Sequence, residues 1–304
     1  MKELDVRHLT YFIEVARHKS FTKAAQALHI TQPSISKMVK ILEEELEVTL
    51  FNRTAKQAEL TDAGKAVLRQ AQQIVHSVQN LTSELSDVIN IKKGNIIIGL
   101  PPMVGVSFFP SVIGDFNHLY PQVTQKLIEV GSKQVEHGVE DGSLDIGVVA
   151  LPVKNELFNM FSFVREPMRL IVYPEHPLTD KELVGFSELK EEHFVLFRED
   201  FTIRDRILER CSQNGFYPKI VCESSQWDFI AEMVAAKLGI AFLPDTITKE
   251  LPASRIKVLE LDQPEIPWHL AIIWRKDKYL SFAAREWLKF TSNRFGIQFD
   301  LTTK

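Results

Sequence analysis

An apolar repeat in the first third of the sequence constrains the fold more than any other feature. Seven apolar residues follow one another at alternating spacings of four and three: Val67, Ala71, Ile74, Val78, Leu81, Leu85 and Val88. A mean spacing of about 3.5 residues aligns them along one narrow stripe of a helix, which is the pattern of a coiled-coil seam. Such a stripe is too narrow to face a globular core. The repeat therefore predicts a linker helix over residues 62–92 that dimerises with the same helix of a second subunit.

The residues before the repeat predict a small domain, residues 1–61, that ends in a hairpin. The expected elements are an amphipathic helix over residues 4–17, a short helix over residues 23–28, a third helix from Gln32, and strands over residues 49–53 and 57–60. Thr31 is a suitable N-cap for the third helix, and Pro33 lies in its first turn, where the missing N–H costs nothing. Three helices and a hairpin in this order predict a winged helix-turn-helix.

The formal net charge of −4 is unevenly distributed along the chain. Residues 1–40 contain seven Lys or Arg and three acids, a balance of +4, so the other 264 residues sum to −8. A basic segment on an acidic body indicates a polyanionic partner for the N-terminal domain. A solvated helix face would give the same charges, and charge alone leaves both interpretations open.

Particular residues in the N-terminal domain favour the polyanionic partner. The first 64 residues closely resemble the N-terminal domain of LysR-type transcriptional regulators, at Phe12, residues 20–25, Leu28, residues 31–36, residues 41–43, Leu50, Phe51, Arg53, Leu60, Thr61, Ala63 and Gly64. The resemblance implies a DNA-binding regulator, dimeric or tetrameric, with two recognition helices on a pseudo-palindromic operator in double-stranded DNA. The sequence departs from the family at Lys37, where many members have arginine, and at Glu47, where glycine is usual.

The candidate DNA-binding residues are expected at the start of the third helix and in the wing. They are Thr31, Gln32, Pro33, Ser34, Ser36, Lys37, Arg53 and Lys56. Gln32 can hydrogen-bond a base edge, and Ser34 and Ser36 can reach bases or phosphates from the major groove. Arg53 and Lys56 flank the wing, where a cation reaches the backbone or the minor groove. For Gln32 and Ser34, plain helix capping is an alternative that is compatible with DNA contact.

From Gly94 onwards strands alternate with helices, which predicts mostly parallel sheets. Residues 93–304 then form an effector domain of two α/β lobes, with lobe I over residues 93–163 and 268–304 and lobe II over residues 164–267. This layout resembles the periplasmic-binding-protein-like effector domain of the same family, with short matches at residues 145–147 and 239–241. The whole chain is thus expected to be an α+β multidomain protein.

A small-molecule effector, a small organic acid, is expected between the two lobes. In open α/β sheets ligands bind beyond the carboxyl ends of strands, where helix N-termini present N–H donors. The candidate effector residues are Pro102, Met103, Ser132, Phe197, Arg198, Thr202, Ser225 and Trp227. Ser132 matches a position where family members often hold an effector with Ser or Thr, and Arg198 would supply a positive charge. Each serine could instead be an ordinary N-cap.

Two other functions are weaker interpretations of the same body. An enzyme is disfavoured because the sequence has no nucleotide-binding glycine loop, metal-binding motif or nucleophile elbow, so no catalytic residues, metal or cofactor are expected. A regulator whose body serves assembly only, without a ligand, remains the main alternative. The two regulators differ in whether a metabolite stabilises the folded chain.

The two cysteines, Cys211 and Cys222, raise the question of redox sensing. Some family members sense peroxide through a cysteine pair in this lobe; Cys211 falls near one member, whereas Thr202 stands at the place of the reactive partner. We therefore expect two packed thiols rather than a switch. Two cysteines also exclude a disulfide framework, and no signal peptide or membrane span is evident, which predicts a cytoplasmic protein without a membrane partner.

Overall fold

The computed structural model describes residues 5–52, 58–88, 93–153, 156–262 and 265–298; for residue 76 and residues 79–88 only the backbone is described. The chain forms two compact units, the first within residues 1–91 and the second containing nearly all of residues 92–304. In the described part of the chain no helix is long and apolar enough to cross a bilayer.

The first unit consists of four helices and a short hairpin. Its elements are α1 (Val6–His18), α2 (Phe21–Ala27), α3 (Gln32–Leu46), β1 (Phe51–Asn52), β2 (Glu59–Leu60) and α4 (Asp62–Val88). Polar side chains begin the first three helices: Asp5, Ser20 and Thr31 each accept a backbone N–H from the first turn, which satisfies donors that have no partner inside the helix. The paired part of the hairpin is shorter than predicted, with two residues in each strand.

Glu47 ends α3 in the left-handed conformation, with φ 54° and ψ 30°. This is the conformation that glycine adopts most easily at a helix end. The missing family glycine therefore does not change how the helix terminates.

A buried carboxylate fixes α3 against the hairpin. Oε1 of Glu43 accepts the N–H of Leu50 at 2.8 Å and that of Phe51 at 3.3 Å. The ring of Phe51 packs edge-on against Phe12 and Phe21, with centroids 5.4 Å apart in both pairs. Phe12 on α1, Ile35 on α3 and Phe51 on β1 belong to the same core. The orientation of α3 is thus set by hydrogen bonds and packing from three sides.

The residues of the predicted coiled-coil stripe on α4 lie in two different environments, one buried and one exposed. Ala71 is buried in the core of its own chain, with Val67 half-buried beside it. Residues of α1 contribute to the core that covers Ala71 within its own chain, and the place of Ala71 in a dimer seam stays a prediction. Ile74 and Val78 are 39% and 43% exposed. Leu81, Leu85 and Val88 lie outside the described side chains.

The second unit has two lobes that share one strand. Lobe I contains β3 (Gly94–Leu100), α5 (Pro102–Phe108), α6 (Pro110–Leu119), β4 (Val123–Glu129), α7 (Ser132–Asp141), β5 (Ile146–Ala150), β12 (Pro267–Arg275) and α11 (Phe282–Arg294). Lobe II contains β7 (Leu183–Val184), β8 (His193–Phe197), α8 (Thr202–Gln213), β9 (Lys219–Ser224), α9 (Trp227–Ala235), β10 (Ala241–Pro244), α10 (Asp245–Thr248) and β11 (Lys257–Leu261). Both lobes contain part of β6 (Phe158–Val172).

Strand β6 changes partners along its length. Residues 158–167 pair antiparallel with β12, and residues 168–172 pair antiparallel with β10 and β11. The change falls at Pro167 and Met168, a few residues after the boundary at residue 163 that the sequence suggested. In lobe I the strands β4, β3 and β5 run parallel, and in lobe II β8 and β9 do so.

Residues 102–119 form two helices, α5 and α6, rather than one continuous helix. Pro110 begins α6, and Phe109 between them is the cap of both helices. Proline has no N–H to continue the hydrogen-bond ladder of a helix. The break is therefore a local effect of Pro110.

Candidate functional site

The first turn of α3 presents polar side chains on an exposed face. Gln32, Pro33 and Lys37 are exposed, whereas Ile35 and Val39 on the other face are buried. The first turn contains no acidic residue, and a helix N-terminus carries a partial positive charge. This face can enter a groove of a polyanion without like-charge repulsion.

The other predicted residues of this face differ in accessibility. Thr31 is exposed and its hydroxyl accepts the N–H of Ser34 at 3.4 Å, so it is a helix cap in the free chain. Ser34 and Ser36 are half-buried. Arg53 and Lys56 lie outside the described residues.

A small cavity lies between the lobes of the second unit, at the ends of strands β3, β5 and β8. Its wall consists of Pro101, Met103, Val104, Ser132, Ala150, Phe201, Thr202, Ile203, Trp268 and Leu270. The cavity has a volume of about 10 Å³, room for about one water molecule. Of the predicted effector residues the structure brings Met103, Ser132 and Thr202 together here. Trp268 and Leu270 on β12 were missed because a strand interior carries no loop or cap signal.

Five predicted effector residues do not line this cavity: Pro102, Phe197, Arg198, Ser225 and Trp227. Phe197 is buried in the core of lobe II, and Trp227 packs against the same core. Pro102 begins α5, and its two neighbours, rather than Pro102 itself, form the wall.

Ser225 is neither the first residue nor the N-cap of a helix. Helix α9 starts at Trp227, and the serine that braces its start is Ser224, whose hydroxyl accepts the N–H of Gln226 at 3.1 Å. Adjacent serines before a helix give the same local signal, so the sequence alone could not choose between them.

Ser132 is buried, and its hydroxyl accepts the N–H of Ala150 at 3.1 Å. This bond joins the start of α7 to the end of β5, which are the two parts of lobe I that meet at the cavity. The serine therefore supports the wall as well as forming part of it.

The predicted positive charge of Arg198 is neutralised within the chain. Its guanidinium donates to both carboxylate oxygens of Asp200, with Nη2 to Oδ2 at 3.0 Å and Nε to Oδ1 at 3.3 Å. Oδ2 of Asp200 also accepts the N–H of Gly131 in lobe I at 3.2 Å. Arg198 therefore belongs to a contact between the lobes and does not line the cavity.

Arg206 on α8 makes a second bridge between the lobes. Its guanidinium donates to the carbonyl of Pro267 at 2.9 Å and to the carbonyl of Leu151. Burial lowers the pKa of Arg206. Burial, followed by the charges of Arg165 and Arg206, also lowers the pKa of His269. His269 is thus kept neutral to lower pH than a free imidazole.

Cys211 and Cys222 are free thiols. Cys211 is fully buried on α8, and burial raises its pKa from 9.0 to about 12. The thiolate is the reactive form of cysteine. Cys211 is therefore a packed thiol with little nucleophilic character.

Two family models match the chain. A model of the LysR substrate binding domain matches residues 91–296, and a model of bacterial regulatory helix-turn-helix proteins of the lysR family matches residues 6–65. A relative in Bacillus subtilis (strain 168), the uncharacterised HTH-type transcriptional regulator YwbI, is 57% identical over 290 residues, which are 95% of this chain and 96% of the relative.

Solved structures of the same fold include full-length regulators and isolated effector domains. A full-length OxyR variant from Pseudomonas aeruginosa has a TM-score of 0.69 at 25% identity, covering 97% of this chain and 95% of that chain. The effector binding domain of QuiR in complex with shikimate has a TM-score of 0.59 at 16% identity, covering 67% of this chain and 98% of that chain. The second likeness is one of fold alone.

The raised pKa of Cys211 predicts slow alkylation in the folded chain. At pH 8 the thiolate fraction of a thiol with a pKa of about 12 is about 1,000-fold below that of one with a pKa of 9.0, so labelling by iodoacetamide slows by at least that factor. Mass spectrometry of Cys211 in the folded and the urea-unfolded chain measures the ratio. Equal rates in the two states would contradict the assignment of a buried, protonated thiol.

Proposed function

Because the chain belongs to the LysR family of DNA-binding transcriptional regulators, and is a regulator rather than an enzyme, we propose that the first turn of α3 reads its operator and that the interlobe cavity receives its effector. The observation that carries the first part is the division of α3 into an exposed polar face and a buried apolar one. Gln32 and Lys37 lie on the exposed face, while the opposite face and Glu43 hold the helix in the core.

The proposed roles of the helix residues follow from their chemistry. The amide of Gln32 can pair with a base edge in the major groove, and the ammonium of Lys37 can contact a phosphate or a guanine. Thr31, Pro33, Ser34 and Ser36 shape the first turn, and their backbone N–H groups or hydroxyls can reach phosphates. Arg53 and Lys56 are proposed as wing contacts from the sequence.

We assign residues 1–61 to the DNA-binding domain, residues 62–92 to the linker helix and residues 93–304 to the effector domain. Helix α4 begins at Asp62 and β3 begins at Gly94, which agrees with this division. Ile74 and Val78 supply an exposed apolar stripe on α4. We propose that this stripe pairs with its copy in a second subunit, so that two copies of α3 meet a pseudo-palindromic operator.

The proposed effector is a small organic acid. Met103, Ser132 and Thr202 meet at the cavity, and the guanidinium of Arg198 with the N–H of Gly131 forms a pair of donors suited to a carboxylate. The alternative, a body that serves assembly only, predicts that no metabolite binds there. We also infer a cytoplasmic location, because the proposed operator lies in that compartment.

The roles of Gln32 and Arg53 predict two kinds of loss on substitution. Gln32→Ala should lose about 1–3 kcal/mol of discrimination at one position of the operator, because a base contact is removed. Arg53→Ala should weaken binding evenly across sequences, because a phosphate contact is removed. The slope of the logarithm of the binding constant against the logarithm of the salt concentration should become shallower by about one unit. Binding titrations at several salt concentrations with single-base operator variants measure both. Equal, sequence-independent losses for the two variants would refute the roles.

The exposed stripe of α4 predicts a monomeric variant. Ile74→Asp combined with Val78→Asp should dissociate the dimer, because two carboxylates would face the apolar stripe of the partner. Sedimentation measures the mass, and circular dichroism checks the fold. Arg69→Asp, an exposed residue on another face of α4, is the control and should stay dimeric. A double variant that remains a dimer would place the interface elsewhere.

The cavity predicts an effector that stabilises the chain. A panel of small carboxylates and their neutral amides is screened by thermal melting, since a ligand of the folded form must raise Tm. The compound that binds should change the operator affinity of the wild-type chain. In Thr202→Val the compound concentration that gives half of this change should be about 5–20-fold higher, because one hydrogen bond is lost. Thr124→Val on the exposed edge strand is the control. If no carboxylate raises Tm, the assembly-only body is the better account.

A further inference from the structure

The carboxylate of Asp200 in lobe II lies at the start of helix α7 in lobe I. Oδ2 of Asp200 in lobe II accepts the N–H of Gly131 in lobe I at 3.2 Å and is paired with Nη2 of Arg198 at 3.0 Å. The side chain of Asp200 is 10% exposed. Asp200 therefore occupies the donor pair that the proposed function assigns to the acid group of an effector.

The backbones of the two lobes approach closely at the same place. A Cβ on Gly131 would lie 2.3 Å from the carbonyl oxygen of Asp200, a distance that no side chain tolerates. Glycine is thus required at position 131 for this contact.

Lys133 adds three further contacts across the lobes. Its N–H donates to the carbonyl of Asp200 at 3.2 Å, and its Nζ donates to the carbonyl of Glu199 at 2.7 Å and pairs with the carboxylate of Asp205 at 2.6 Å. Together with the Gly131 contact they join the two lobes beside the cavity, at what we call the mouth of the cleft. The cavity has room for about one water molecule, which is too little for an organic acid while the lobes keep this position.

We propose that Asp200 is an internal competitor of the effector, and that an effector carboxylate binds by displacing the Asp200 carboxylate from Arg198 and Gly131. This inference rests on the proposed effector role of the cleft. One guanidinium and one N–H are matched to a single carboxylate, and a second carboxylate beside the first would be repelled. Binding is therefore an exchange that opens the mouth of the cleft. The stability of the internal contact then sets the effector concentration at which the regulator responds.

The test replaces the internal carboxylate by an external one. In Asp200→Ala, acetate should bind between Arg198 and Gly131 and raise Tm relative to chloride at equal ionic strength. It should also slow hydrogen exchange in the peptide that contains Gly131. The half-saturating acetate concentration should be at least about tenfold lower than for wild type, where Asp200 competes. Glu199→Ala removes a neighbouring carboxylate whose residue is exposed, and it should respond like wild type.

Equal responses to acetate in Asp200→Ala and wild type would overturn the proposal. If Asp200→Ala does not fold, Asp200→Asn carries the same comparison, because it keeps the size of the side chain and loses its charge. The experiment uses the full chain without operator or natural effector. Its result is therefore independent of the metabolite screen: a screen without a hit rejects the effector role of the cleft, whereas an absent acetate response rejects the competition by Asp200.

Discussion

The antiparallel pairing of β6 with β12, β10 and β11 is the constraint on which the second unit depends. Because β6 is continuous through residues 158–172, both lobes are hydrogen-bonded to one strand. Pro167 and Pro267 are paired opposite each other where the lobes meet, and neither has an N–H to donate to the ladder. The two prolines therefore remove two backbone donors from the strand pair at the junction, where Met168 donates its N–H to the carbonyl of Ile266 at 2.8 Å.

Charge compensation inside the second unit explains why its cleft is closed. Arg198 is neutralised by Asp200, and Lys133 by Asp205, while Arg206 is satisfied by backbone carbonyls. The side chains of Arg198, Lys133 and Asp205 are about half exposed, so water also solvates these charges and each ion pair alone contributes little stability. Internal carboxylates provide the partners when no external anion is present. The same argument makes an anion the class of ligand that can exchange with them.

Features that depend on local residue spacing could be predicted from the sequence. Features that depend on contacts between distant parts of the chain could not. The cap Thr31 and the start of α3 at Gln32 follow from residue type and periodicity, and both are found in the structure. Ala71 fits a coiled-coil repeat but packs on its own chain, because periodicity does not say which surface covers a stripe. The charge of Arg198 was evident, but its neutralisation depends on the conformation of residues 198–200. Trp268 lines the cavity because β12 pairs with β5 and β6. No local sequence pattern specifies that long-range pairing.

The shared core of the first unit connects the linker helix α4 to α3, the helix proposed to read DNA. Ala71 of α4, Phe12 of α1 and Ile35 of α3 belong to one buried cluster, and close-packed interiors transmit displacement rather than absorb it. Glu43 adds hydrogen bonds from α3 to the hairpin. Packing and hydrogen bonds therefore join the first half of α4, the other three helices and the hairpin in one core. If two linker helices pair as proposed above, the packing of Ala71 on this core connects that pairing to the position of α3 in each subunit.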